Sequence, residues 1–153
     1  MVFSFVLAAT LAASQVAFPP LVARDLVGHG VSELPPATEI GIFSMPVPAH
    51  PSLVVQFRRV GSHSVLLLLE GDGVSACIID AVALPRLGRF ETVVFGCVRK
   101  GSEAAEGEML VGVGDERKGE FVARRAWRLV FEPAKFEPLS DSVVLCRPES
   151  YAN

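Results

Sequence analysis

The chain has 153 residues, half of them hydrophobic and 20% charged, with a formal net charge of −3 and an isoelectric point near 5.6. That length fits one domain with a substantial core, since a domain of about 150 residues buries roughly 68–70% of its unfolded surface. The apolar content argues against global disorder, and the acidic balance argues against a nucleic-acid binder, which needs a basic surface to neutralise phosphates.

No charged side chain precedes Arg24, and Phe3 to Ala13 is an apolar run, FSFVLAATLAA. Its length matches the hydrophobic stretch of a secretory signal peptide and is short for a bilayer span. Small residues follow, so cleavage after Ser14 or Ala13 suits the peptidase. Residues 1–14 therefore read as a signal peptide, although no Lys or Arg opens it. A retained membrane anchor and a buried core element are the alternatives. The expected location is secreted or periplasmic, with membrane contact only through this segment if it stays uncleaved. In an oxidising compartment Cys77, Cys97 and Cys146 would give one disulfide and one leftover thiol. Cys97–Cys146 is the expected pair, because each lies in an apolar strand-like run, FGCV and VVLC. Cys77, in SACIID, reads as a buried small hydrophobe. A reduced chain with three buried thiols is the alternative.

Residues 15–51 form a Pro-rich segment, and seven of the eleven prolines fall between 18 and 51. Proline fixes φ and removes a donor, so helix is excluded over most of this stretch. ATEIGIF (37–43) suits a short edge strand, SMPVPAHP an extended polyproline-like path, and the whole segment is expected to wrap the domain surface.

Residues 52–153 read as an antiparallel β domain. LVVQFRRV (53–60) alternates in period two, SVLLLLE (64–70) is short and apolar throughout, and VSACIIDA (74–81) is the return strand. Asp72-Gly73 between the last two is a tight-hairpin signal. ALPRLGR (83–89) is a linker. FETVVFGCV (90–98) places Val93, Phe95 and Cys97 on one face. RKGSEAAEGE (99–108) is a polar loop, and MLVGVG (109–114) is a strand in which Gly112 marks a bulge or close backbone contact. After the DERKGE turn, FVARRAWRLVF (121–131) alternates, with Trp127, Leu129 and Phe131 opposite Arg124, Ala126, Arg128 and Val130. EPAK turns, FEPLS (136–140) is an edge segment and SVVLC (142–146) the last strand. About eight short strands with regular turn signals predict a mainly β fold, a single antiparallel sandwich or partly open barrel.

Chemistry-bearing motifs are sparse. GVGDERKG (112–119) lacks the spacing of a phosphate loop and reads as a hairpin turn. His29, His50 and His63 have no ligand partners at chelating intervals, so neither a metal nor another cofactor is expected. A Cys77–His63 nucleophile pair needs an activated thiol, which an apolar strand does not favour. No G-x-S-x-G occurs, and Asp80 and Glu91 read as solvated strand ends. The basic cluster Arg117, Lys118, Arg124, Arg125 and Arg128 is the one surface feature that suggests ligand binding, with Arg124, Arg125 and Arg128 as candidates for an anionic polymer or partner. Interleaved Glu116, Glu120 and Glu132 favour a solvated mixed-charge face instead, and Trp127 reads as core.

The functional expectation is an exported, noncatalytic module that binds a protein or envelope ligand through a sheet face or loops. Two alternatives remain: a structural or assembly protein docking a partner through residues 18–51, and a small hydrolase whose site the spacing hides.

Overall fold

A computed structural model describes residues 23–34, 42–60, 63–99, 108–117, 120–139 and 144–146. Residues 1–14, expected to be a signal peptide, and most of 99–108, expected to be a polar loop, lie outside them. Nine strands are described: β1 (Ile42–Val47), β2 (His50–Val60), β3 (His63–Glu70), β4 (Cys77–Leu84), β5 (Glu91–Arg99), β6 (Leu110–Arg117), β7 (Glu120–Phe131), β8 (Ala134–Leu139) and β9 (Val144–Cys146). The molecule is mainly β, and every strand pairing is antiparallel.

One sheet is the meander β1-β2-β3-β4. The other runs β5-β6-β7-β8, with β9 pairing to both β5 and β7. The two sheets do not close into a barrel; they stack as a sandwich. Alternation explains the stack, because residues two apart share a face. Leu53, Val55, Leu66, Leu68 and Leu84 of the first sheet meet Val93, Phe95, Val111, Val113, Trp127, Leu129 and Phe136 of the second. Fully burying a side chain such as Leu66 or Leu68 contributes about 1.5–3 kcal/mol. Trp127 is in this core, as expected.

β3 is buried on both faces from Ser64 to Leu69, as its unbroken apolar run predicts. Its outer face (Val65, Leu67, Leu69) is covered by Leu26 and Leu34, which also meet Ala76 and Ile78 of the β3–β4 loop and β4. Residues 23–34 carry two short 3-10 turns, Ala23–Leu26 and Val31–Glu33. Their backbone bonds to β4: the Gly28 amide donates to the Ile78 carbonyl and the Ile78 amide to the His29 carbonyl, at 2.8 and 2.9 Å. Residues 23–34 therefore lie against the outer face of the first sheet.

Residues 42–51 depart from the expected polyproline path, and 15–22 and 35–41 lie outside the described residues. Residues 42–47 form β1, and Pro48-Ala49 turns the chain directly into β2. Ala49 takes a positive φ of 62°, and proline followed by a positive-φ residue is the type II turn pattern. A register irregularity at Pro46/Val47 takes up extra residues of β2 beside Pro51. Prolines are tolerated here because β1 is an edge strand, where a missing donor on the open side breaks no ladder bond.

Two further differences come from glycine. Glu70 pairs with Cys77, so the β3–β4 connection is a longer loop containing the 3-10 turn Gly73–Ser75, not a tight Asp72-Gly73 hairpin. Gly73 does supply positive φ, at 58°. In β5, Gly96 has a φ of 71° and the β5–β6 register slips between Phe95 and Cys97. This bulge turns Cys97 away from Val93 and Phe95. It instead joins Val94, Leu110, Phe121, Ala126 and Cys146 in a separate small cluster.

Candidate functional site

Cys97 and Cys146 form a disulfide with Cα atoms 4.2 Å apart. The Gly96 bulge that reverses Cys97 is what makes the bond reachable, since it puts Cys97 on the face that carries Cys146. Both residues are buried. Gly112 lies directly beneath them: a Cβ there would sit 3.2 Å from the Cys146 Sγ and 3.3 Å from the Cys97 Sγ. The close backbone contact expected at this glycine is thus with the disulfide. Such a bond fits an oxidising compartment.

Cys77 is a free thiol and it is exposed, which corrects its reading as a buried hydrophobe. It opens β4 opposite Gly30, which has no side chain to cover it. His63 and Glu70, the cross-strand partner of Cys77, stand at opposite ends of β3. At about 3.3 Å per residue that is roughly 23 Å, so the conceivable Cys77–His63 pair does not form. Among the described residues there is no group of three or more His, Cys, Asp or Glu that could hold a metal ion.

The three candidate arginines do not converge. Val113 pairs with Arg125 and Gly114 with Ala123, so Arg124 is the extra residue of a bulge. The bulge separates Arg124 from Arg128, which simple alternation puts on one face. Arg124 reaches Glu91 at 3.5 Å and Asp115 at 3.6 Å. Glu91 and Asp115 are cross-strand partners, and a cation between them relieves their repulsion. Arg128 instead holds Glu137, its partner on β8, with Nη2 2.7 Å and Nε 3.1 Å from one carboxylate oxygen. Lys135 joins at 3.2 Å. These bonds, that of Arg128 first, hold the Glu137 carboxyl below its ordinary pKa. Arg125 is exposed on the face of its partner Val113. Lys118 lies outside the described residues, and of Arg117 only the pairing with Glu120 is described.

Arg124 belongs to a different constellation, one the sequence pattern hid. The linker between β4 and β5 is pinned at Leu87, which packs against the inter-sheet core. The Gly88 amide donates to the Glu91 carboxylate at 2.8 Å, and the Glu91 amide returns a bond to the Gly88 carbonyl at 3.1 Å. That turn holds Phe90 out in water, 77% exposed. The Arg89 guanidinium lies 5.5 Å from the Phe90 ring centroid, a cation–π contact of about 0.5–1 kcal/mol at an exposed site. Glu91 links the turn to Arg124, so an aromatic ring and two guanidinium groups share one neighbourhood. Period-two reading assigns Phe90 to the start of a strand and gives no sign of its exposure.

Asp80 has a structural task. A register irregularity near Leu68/Leu69 sets its position on β4. One carboxylate oxygen accepts from the Ala81 amide at 2.9 Å and the other from the Phe136 amide of β8 at 2.6 Å. It therefore stitches the first sheet to the second and satisfies a donor on the strand β8.

No family model, curated protein or solved structure matches the chain.

Proposed function

We propose that the protein is an exported, noncatalytic β-sandwich module that binds a protein or envelope ligand through the β4–β5 turn. The observation that carries this reading is Phe90, a large apolar ring held in solvent by a braced turn, with Arg89 stacked on it and Arg124 one ion pair away. Aromatic and arginine side chains are enriched among residues that dominate binding energy. A turn already ordered by Gly88 and Glu91 loses little further entropy on binding. The arginines favour a partner that presents carboxylate or phosphate beside an apolar surface. Export rests on the apolar run 3–13 and on the disulfide.

Two measurements test the proposal. Intact mass of protein recovered from its native compartment, after thiol alkylation without reductant, should show a chain shortened by 13–14 residues, one alkylated cysteine and one disulfide. A full-length chain with three alkylated cysteines removes the export reading. A photo-crosslinking residue placed at position 90 should trap a specific partner in the envelope or extracellular fraction. The same probe at position 74 should not, and Arg89→Ala should weaken the adduct. Equal labelling from both positions, or indifference to Arg89, removes the binding surface.

A further inference from the structure

We propose that β9 is a redox-operated latch: reducing Cys97–Cys146 releases β9 from β5 and β7 while the two-sheet core stays folded. The placement of the disulfide carries this inference. β9 has three residues, and its ladder consists of Val98↔Leu145 and Arg99↔Val144 on one side and Phe121↔Cys146 and Val122↔Leu145 on the other. So short a strand has few backbone bonds of its own, and the covalent bond supplies the rest of its attachment. The bond joins Cys97 of β5 to Cys146 of β9, so opening it removes the one covalent tie between β9 and the neighbouring strand.

The latch is separable because the small cluster and the large core lie on different faces. Cys146 packs with Val94, Cys97, Leu110, Phe121 and Ala126. None of these, Cys146 included, contributes to the core between the sheets. Departure of Cys146 therefore opens the small cluster, whose members all lie outside the large core. It also uncovers Gly112, which has no side chain to fill the space left by the Cys146 sulfur. The backbone groups of β5 and β7 that had faced β9 become an open edge, the kind of template that accepts another strand.

The chemistry requires a dithiol reductant. One thiolate attacks a cystine sulfur and forms a mixed disulfide, releasing the other cysteine as a thiol. The second thiolate of the reductant then displaces the remaining cysteine. Two electrons and two protons pass to the protein, leaving two cysteine thiols and a cyclic disulfide.

Hydrogen exchange read by mass spectrometry tests the latch in the full chain carrying Cys77→Ser, which prevents thiol scrambling. Dithiothreitol should accelerate exchange at 98–99, 121–122 and 144–146 by roughly 100-fold or more. Exchange at 53–58 and 64–69 should stay unchanged, and reoxidation should restore the original pattern. Cys97→Ser/Cys146→Ser should reproduce the reduced pattern without reductant. Acceleration throughout both sheets would make the bond a global staple and overturn the proposal. So would continued protection of β9 after reduction, or a bond that dithiothreitol opens only when the whole protein unfolds.

Discussion

The sharpest test of the packing around the disulfide is Gly112→Ala. The added methyl would sit 3.0 Å from the Ala123 Cβ, 3.2 Å from the Cys146 Sγ and 3.3 Å from the Cys97 Sγ. Carbon contacts are comfortable at about 3.5–4.0 Å, so the neighbours must retreat by roughly half an ångström. Two of them are the bonded sulfurs, which cannot move independently. Overpacking of this kind costs about 1–3 kcal/mol, against about 0.4–1 kcal/mol gained by restricting the unfolded chain. The net loss is about 1–2 kcal/mol, which at a urea slope near 2 kcal/mol/M lowers the midpoint by roughly 0.5–1 M. Repeating the substitution in a Cys97→Ala/Cys146→Ala background removes both sulfurs and keeps Ala123. There the penalty should fall by about half, the coupling expected of residues in contact. An unchanged midpoint for Gly112→Ala, or an undiminished penalty without the sulfurs, would refute the reasoning.

Three other outcomes follow. Asp80→Ala should destabilise by about 1–3 kcal/mol, because it strips the acceptor from the Phe136 amide; exchange at that amide should accelerate, and Asp80→Asn should retain part of the protection. Leu68→Ala, at a position with no solvent exposure in the inter-sheet core, should cost about 2–5 kcal/mol in thermal or urea unfolding. The Glu137 carboxyl is held below its ordinary value of 4.5 by Arg128 and then Lys135. Its stabilising contribution is thus complete above that value and is lost as pH falls through the lowered one; Glu137→Gln should flatten the acid limb of the stability profile, and an unaltered limb would show that the pair does nothing for folding.

The sandwich was legible because most strands bury alternate residues, and alternation survives in the sequence as a pattern. β3 was legible for the opposite reason, since a short run apolar at every position belongs where both faces are covered. The Cys97–Cys146 pairing was expected from two strand-like contexts, although the expected face of Cys97 was wrong. Period-two counting carries no register slip, and a single positive φ at Gly96 reverses everything after it. The same failure affects Arg124, displaced by its bulge into contact with Glu91 and Asp115. β1 was obscured by proline, which suppresses a strand reading although an edge position tolerates it. The Phe90 turn was the least legible. Its exposure depends on where Leu87 and Glu91 are anchored, which is a tertiary fact with no local signature.

The order of the strands along the chain has a consequence for biogenesis. β1 to β4 are contiguous in sequence and form one sheet, and β5 to β8 are contiguous and form the scaffold of the other. A chain that emerges N-terminus first can therefore assemble the first meander before the second is complete. Cys146 follows all eight of these strands, so it meets Cys97 after both layers exist. Oxidation would then act as a final quality seal on molecules already correctly layered.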